Sequence, residues 1–296
     1  MKFGKVDNPG LIDFTIPEDH PNTTLVLEKT KTTQPLSIYV GCANWNRQAL
    51  KNFYPRGTKD ELSYYASQFN CIELNATFYR IFSDEQFVKW KERTPQNFRF
   101  FPKLPRDISH DLMLSHTCYP IINKYLNAAL HLDNRLGTFF LQMHNDFDPK
   151  NWERVVSFIE YWPKHIPLAI EFRHTEWFNN KTVATKLYAL LEKNNIANIL
   201  VDTAGRRDLM HMSLTKNEAF IRYVGANHPS DYHRLDDWVN RIESWVDKGL
   251  KNIHFFIHQN LEIETTLLSA YFIEKLNKRL HTNLTIPQSG GQLTLF

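Results

Sequence analysis

The chain has 296 residues, enough for one large domain or two small ones. Apolar residues make up 42% and charged residues 23%, which is ordinary globular usage and excludes wholly disordered and fibrous classes. The 35 Lys and Arg residues against 32 Asp and Glu give a net charge of only +3. A dedicated nucleic-acid binder would carry a larger excess of positive charge, although this balance does not exclude a local basic cleft.

The cysteines and the apolar segments indicate the cellular setting. Cys42, Cys71 and Cys118 are odd in number and lack the paired spacing of a metal site, which predicts reduced, buried thiols. No apolar run follows the first basic residues, as a secretory signal would require. No stretch approaches the roughly 18 apolar residues of a membrane span. We therefore expect a soluble, cytoplasmic protein with no membrane partner.

The chain divides into three parts. Residues 1–37 hold four prolines and polar runs without a sustained period, so we expect an irregular extension on the domain surface. Residues 38–280 alternate short segments of β-branched and aromatic residues with longer stretches of helical period. Residues 281–296 form a tail with a Ser-Gly-Gly spacer and apolar side chains.

The middle part predicts a barrel of alternating strands and helices. Eight segments read as strands: Ile38–Cys42, Cys71–Asn75, Phe98–Lys103, Thr138–His144, Leu168–Arg173, Ala197–Asp202, Ala219–Tyr223 and Asn252–His258. Their starts lie 22 to 40 residues apart, the length of a strand, a crossover helix and two loops. We predict an α/β fold, a single-domain TIM-type (β/α)8 barrel. The main alternative, an open doubly wound sheet, would carry a Gly-x-Gly-x-x-Gly turn after its first strand, and Gly41–Asn44 does not fit it.

Polar residues stand where barrel strands would not place them. Side-chain alternation predicts that several point inward near the carboxyl ends of their strands: Glu73, Asn75, Gln142, His144, Glu171, Arg173, Asp202, Arg222 and His258. Lys103 ends the third strand. Barrel enzymes build their sites at this face, whereas charges inside a barrel are costly unless they are paired.

These residue types predict a reactive pocket. We assign acid–base or metal-assisted chemistry, with a divalent metal as an option, to Glu73, Glu171 and Asp202. His110, in a loop after the third strand, is a further candidate general base. The predicted substrate-binding residues are Asn75, Tyr79, Lys103, Gln142, Arg173, His174 and Arg222, whose cations would hold an anionic group. The alternative is a self-neutralising network that merely fills the barrel.

Several motifs occur in one order and carry a family resemblance. They are Gly41–Trp45, Phe53–Pro55, Glu73–Arg80, Phe98–Pro105, Ile108–Asp111, Glu171–His174 with Trp177-Phe178, and Val201-Asp202. From about Ile38 to Leu280 the chain resembles the domain of unknown function 72, the YecE-like proteins. The resemblance implies a TIM-type barrel with a pocket but no established reaction.

Two motifs depart from the family pattern. The first usually reads Gly-Thr-Ser-Gly-Trp, and Cys42-Ala43-Asn44 removes both hydroxyls here, which argues against a hydroxyl nucleophile at that point. The last strand commonly ends in asparagines, whereas this chain has His258-Gln259-Asn260. Any role transferred to the eighth strand is therefore open.

The tail contains a possible partner motif. Its residues Gln292, Leu293, Leu295 and Phe296 resemble the pentapeptide by which bacterial polymerases and repair proteins dock on the DNA sliding clamp. In that mode of docking the Gln amide would form a hydrogen bond at the rim of a pocket on the clamp, and the apolar side chains would fill the pocket. The alternative is a tail strand that folds back onto the barrel.

Three functions remain open from the sequence. The first is an enzyme acting on an anionic, phosphate-bearing substrate, as a phosphodiester or phosphate-ester hydrolase or an isomerase, connected to nucleic-acid repair or processing if the tail docks on a clamp. The second is a non-enzymatic adaptor recruited by its tail. The third is a small-molecule metabolic enzyme whose tail is irrelevant.

Overall fold

A computed structural model describes residues 4–288 of the protein. Within that range nine strands alternate with ten α-helices. The strands are β1 Ser37–Cys42, β2 Cys71–Leu74, β3 Arg99–Pro102, β4 Phe139–Gln142, β5 Leu168–Glu171, β6 Ala197–Asn198, β7 Leu200–Thr203, β8 Glu218–Gly225 and β9 Asn252–Gln259. The helices are α1 Pro21–Lys29, α2 Glu61–Gln68, α3 Ala76–Tyr79, α4 Asp84–Glu92, α5 Tyr119–Ala129, α6 Trp152–Tyr161, α7 Glu176–Asn179, α8 Lys181–Lys193, α9 Ser230–Asp247 and α10 Thr265–Leu280.

The strands pair in parallel, in the order expected of a TIM-like α/β fold. One run is β3-β2-β1-β9-β8-β7, and a second is β4-β5-β6. A parallel bridge between Lys103 and Phe140 links the end of β3 to β4, and only Ile199 separates β6 from β7. The predicted fold class is confirmed, with the sixth predicted strand divided in two. No helix among residues 4–288 has both the length and the apolar character needed to cross a membrane.

The barrel interior below the carboxyl ends of the strands, called its lower interior here, is apolar and largely aromatic. Its buried cluster comprises Cys71, Phe101, Phe140, Ala169, Ala197, Ile199, Val201, Phe220 and Phe256, with Tyr39 packed against it. Close strand approach explains Gly41, because a Cβ there would lie 2.3 Å from the carbonyl oxygen of Cys71. Below this cluster His254 Nδ1 lies 3.3 Å from Glu218, whose second oxygen is 3.0 Å from Lys216 Nζ. Burial would raise the pKa of Glu218, but His254 and Lys216 hold it at about 2.

The extension before β1 is irregular for most of its length, but α1 is a helix that the sequence analysis did not predict. Pro21 stands in its first turn, and His20 accepts a hydrogen bond from the backbone N–H of Asn22 at its start. Just before α1 the extension contacts α9: Asp19 accepts hydrogen bonds from Arg241 (2.5 Å) and Trp245 (2.9 Å).

The segment after α10 runs back toward α2, where the backbone N–H of Gln288 donates to Gln68 (3.0 Å). Gln68 ends α2 immediately before β2, so this contact lies at the end of the barrel where the strands begin. The predicted docking residues Gln292, Leu293, Leu295 and Phe296 lie outside the described residues.

Candidate functional site

A ring of polar side chains lies directly above the apolar interior, at the carboxyl ends of the strands. Six of its seven members follow an inward-facing apolar residue by two positions, as strand alternation requires, and the seventh, Arg173, stands two positions after Glu171. The members are Glu73, Lys103, Gln142, Glu171, Arg222 and His258, none more than 6% exposed, and Arg173, which is 8% exposed. We call this set the mouth cluster. It brings together six of the predicted site residues and adds His258.

Arg222 on β8 bonds to two carboxylates that lie far apart in the sequence, Glu73 on β2 and Glu171 on β5. Its Nε and one terminal nitrogen donate to the two oxygens of Glu73, both at 2.8 Å. Its other terminal nitrogen donates to Glu171 at 2.5 Å. This planar fork is the strongest form of guanidinium–carboxylate bonding, and it fixes β2, β5 and β8 relative to one another.

Every remaining acceptor position of the two carboxylates also has a partner. Asn75 and His258 bond to Glu73 at 2.7 and 3.1 Å. The Gln142 amide donates to both oxygens of Glu171 at 3.1 Å, and Arg173 Nε donates at 2.5 Å.

Both carboxylates stay ionised despite their burial. Burial would raise the pKa of Glu73, but Arg222 and His258 hold it well below its usual range. Burial acts the same way on Glu171, where Arg173 and Arg222 bring the pKa to about 2. Both groups therefore act as fixed negative charges and hydrogen-bond acceptors at neutral pH.

Lys103 is a member of the mouth cluster whose charge changes near neutral pH. Its Nζ donates to the Gln142 carbonyl oxygen at 2.8 Å and lies 4.1 Å from the centre of the Phe78 ring. Burial, followed by the nearby charge of Arg222, lowers the pKa of Lys103 to about 7. The backbone of the residue is fixed as well, because Thr77 and Tyr125 both donate to its carbonyl oxygen. A rigidly held amine of this kind can take or give a proton at neutral pH.

His110 lies at the edge of the same site, on a single π-helical turn over Asp107–Asp111. Its Nδ1 is 2.8 Å from Ser109 Oγ, and its ring packs edge-on against Phe78 (5.0 Å) and His144 (5.2 Å). Burial, then the proximity of His144 and the nearby cations, lowers the pKa of His110 to about 4. The imidazole is therefore neutral at pH 7 and can accept a proton only weakly.

Two predicted substrate-binding residues lie on the rim rather than in the cluster. Tyr79 ends α3 with 79% of its surface exposed, and its ring meets Phe78 at 5.2 Å. His174 is half-buried, and its Nδ1 accepts the backbone N–H of Glu176 at 3.4 Å.

The prediction that Asp202 points into the barrel is wrong. Its carboxylate faces the helix layer, where it accepts hydrogen bonds from Arg234 and Trp238 of α9, both at 2.7 Å, and from Arg207. The reason is the apolar interior: Ile199 and Val201 point inward and so place Asp202 outside. Burial would raise the pKa of Asp202, but Arg234 and Arg207 lower it, so the group is a structural anchor for α9.

Phe78 and His258 belong to the site but were not assigned to it from the sequence. His258 follows the alternation of its strand, so the signal was present, whereas Phe78 reaches Lys103 from a short helix that alternation cannot describe. Within residues 4–288 no three His, Cys, Asp or Glu side chains group together as ligands for a metal ion.

Two curated relatives match the chain, one over most of its length and one over about half of it. It is 25% identical to UPF0759 protein YecE of Escherichia coli K12 over 281 residues, covering 88% of this chain and all of that protein. It is 29% identical to UPF0759 protein YunF of Bacillus subtilis over 160 residues, covering 48% of this chain and 52% of that protein.

Solved structures show the same fold. A DUF72 family protein of Enterococcus faecalis, EF0366, superposes with a TM-score of 0.66 at 18% identity, covering 84% of this chain and 99% of that one. A DUF72 family protein of Thermotoga maritima, TM1631, gives 0.60 at 21% identity, covering 83% and 100%. The sequence profile of the family described as "Protein of unknown function DUF72" matches residues 39–290, and the chain belongs to this family.

Proposed function

We propose that the protein is an enzyme that binds a small anionic, phosphate-bearing substrate at the mouth cluster and moves a proton with Lys103. The observation that carries the proposal is the position of the Lys103 amine, buried at the carboxyl ends of the strands between the Gln142 carbonyl oxygen and the Phe78 ring. An amine whose pKa is near 7 is matched to proton transfer at physiological pH.

The charge balance of the mouth cluster favours an anionic ligand. Glu73 and Glu171 neutralise Arg222 and Arg173, so a proton on Lys103 leaves the cluster with excess positive charge. Arg206, itself paired with Asp208 at 3.0 Å, donates to the carbonyl oxygen of Arg173 at 3.0 Å and so fixes the backbone there. A phosphate group that enters beside Lys103 would restore the balance in a site largely shielded from water.

Of the two predicted chemistries, acid–base and metal-assisted, we propose the first. Every oxygen of Glu73 and Glu171 already accepts a hydrogen bond from a nitrogen of the mouth cluster or of Asn75. In this proposal the two carboxylates position the cations and Lys103 transfers the proton. His110 lines the edge of the site as an uncharged imidazole. Asp202 takes no part.

Phosphate binding tests the proposal. Calorimetric titration of the full chain with inorganic phosphate and with ribose 5-phosphate should show binding that Lys103→Met weakens by about 10- to 100-fold, the cost of one charge-assisted hydrogen bond. Lys29→Met removes a cation with 73% of its side chain exposed and should leave the affinity unchanged. No binding by the wild-type chain, or equal loss in both variants, would contradict an anionic substrate at the mouth.

A second candidate function, recruitment to a DNA sliding clamp, rests on Gln292, Leu293, Leu295 and Phe296. Gln288, the last described residue, contacts Gln68 at the end of the barrel opposite the mouth. The last described residue therefore lies away from the mouth cluster, and the proposed docking uses none of the residues proposed for catalysis.

Surface plasmon resonance with a purified bacterial sliding clamp tests the tail. The full chain should bind, and deletion of residues 292–296 or the double substitution Leu295→Ala and Phe296→Ala should abolish the signal. The matched control, Lys103→Met, should bind as the wild type does. A full chain that does not bind, or truncation without effect, would leave the small-molecule enzyme as the remaining alternative.

A further inference from the structure

We propose that Lys103 forms an imine with an aldehyde or ketone substrate that also carries an anionic group. The inference rests on the proposed function, because the same mouth cluster must bind the anion. It goes further by assigning a covalent bond to one atom, Lys103 Nζ, and a carbonyl group to the substrate.

The surroundings of the amine are those of a nucleophile rather than of an ion-paired lysine. Nζ donates to the neutral Gln142 amide at 2.8 Å and faces aromatic rings, with Phe78 at 4.1 Å and Phe140 at 5.9 Å. The two carboxylates of the cluster bond to arginines instead. An amine that is desolvated beside other cations is held in its uncharged form, which is the reactive one.

Lys103 differs in this respect from the other lysines of the described chain, among which it is the one less than a tenth exposed. Lys216 offers the best comparison, since its side chain is only 14% exposed. Its Nζ, however, lies 3.0 Å from the Glu218 carboxylate at the opposite end of the barrel, so this lysine is held in an ion pair.

The free-amine fractions give the size of the expected selectivity. With a pKa of about 7, half of Lys103 is uncharged at pH 7. An ordinary lysine with a pKa near 10.4 has about one uncharged molecule in 2,500. Lys103 should therefore react about a thousandfold faster than an exposed lysine at pH 7, if both amines are equally accessible and equally nucleophilic.

The bond-forming step is balanced without a further reactant. The Nζ lone pair attacks the carbonyl carbon, a C–N bond forms and the carbonyl oxygen becomes a hydroxyl. The two hydrogens of Nζ leave with that oxygen as water, which yields the C=N bond. Hydrolysis reverses the step and regenerates the amine. An anionic group bound near Arg173, the most exposed member of the cluster at 8%, would direct the carbonyl toward Nζ.

Reductive trapping tests the imine. The full chain is incubated at pH 7 with glycolaldehyde phosphate and sodium cyanoborohydride, and the adducts are located by peptide mass spectrometry. We expect one adduct, at Lys103, formed at least about a hundredfold faster than at any other lysine. Glycolaldehyde without the phosphate should react more slowly at Lys103 and equally at the surface.

Matched variants separate the imine from the proposed function. Lys103→Met and Lys103→Arg should remove the fast adduct, and Lys216→Arg should keep it; circular dichroism confirms that each variant is folded. Labelling spread over surface lysines, in a wild-type chain that still binds inorganic phosphate, would overturn the imine and leave the proposed function standing. Loss of phosphate binding as well would overturn both.

Discussion

Replacement of Arg222 by Met gives the sharpest test of the mouth cluster. Arg222 is 2% exposed, and its guanidinium makes three hydrogen bonds to Glu73 and Glu171. Without it two buried carboxylates lose their shared cation, although Glu73 keeps His258 and Glu171 keeps Arg173. Removing one partner of a buried ion pair typically costs about 3–5 kcal/mol, so we expect a loss of about 4 kcal/mol in the free energy of unfolding at pH 7.

The pH dependence follows from the two carboxylates. In the wild type their pKa values lie below the usual value near 4.5, so their contribution to stability is present above pH 4.5 and is lost as the pH falls toward 2. In Arg222→Met both pKa values rise, and the variant can relieve an unpaired charge by taking up a proton. That uptake costs about 3.4 kcal/mol per carboxylate at pH 7 but about 0.7 kcal/mol at pH 5. The deficit of the variant should therefore shrink by about 2.7 kcal/mol at pH 5 when one carboxylate takes up a proton.

Urea unfolding followed by tryptophan fluorescence measures both effects. The control Arg279→Met removes a cation from an exposed pair with Glu243 and should change the unfolding free energy by less than about 1 kcal/mol. Adding Glu73→Gln to Arg222→Met should recover part of the stability, because one unpaired charge is gone. A loss below about 1 kcal/mol in Arg222→Met, or a deficit that is equal at pH 7 and pH 5, would refute the reasoning.

Three further predictions concern the surroundings of the site. Asp202→Asn should lower the unfolding free energy by about 3 kcal/mol in urea titrations, because Arg234 loses a charged acceptor. The phosphate affinity should stay unchanged, and a large loss of affinity would place Asp202 in the site after all. The His110 imidazole should titrate near pH 4 in NMR spectra assigned with His110→Gln. Because its pKa is lowered in the folded chain, the free energy of unfolding should fall as the pH drops from 6.5 toward 4. An NMR titration midpoint near 6.5 would contradict the burial of the ring. Phe14→Ala removes a ring 4.4 Å from the Arg234 guanidinium, so limited proteolysis should cleave the segment before α1 faster, and an unchanged rate would show that the contact does not hold it.

The strands and their inward polar residues were predictable because alternation is a local property. Glu73, Glu171 and Arg222 each stand two residues beyond an inward apolar side chain, and that spacing is visible in the sequence. Their mutual bonding was not predictable in detail, since Glu73 and Arg222 are 149 residues apart and their distance depends on the register of several strands. The lowered pKa of Lys103 likewise depends on burial and on Arg222, which no single segment encodes.

Two failures have physical causes. The prediction for Asp202 fails because it assigns the apolar residues of that strand to the helix side, whereas the barrel interior is itself apolar there and contains Ile199 and Val201. The sequence does not predict helix α1 because prolines dominate its region. The helix also has a narrow buried side, formed by Thr23, Val26 and Leu27, so its apolar pattern is weak. In both cases tertiary packing decided a choice that the local pattern left open.

The protonation of Lys103 is the direct test of an amine that is poised for chemistry at the mouth. Competitive labelling with acetic anhydride between pH 5 and pH 11, read out by mass spectrometry of the Lys103 peptide, yields the pKa of this side chain in the folded chain. Half-maximal reactivity at about pH 7 is the expected result, well below the reference value of about 10.4 for a lysine side chain in water. A midpoint for Lys103 at or above 10 would mean a permanently charged ammonium, and both the proton transfer and the imine would have to be abandoned.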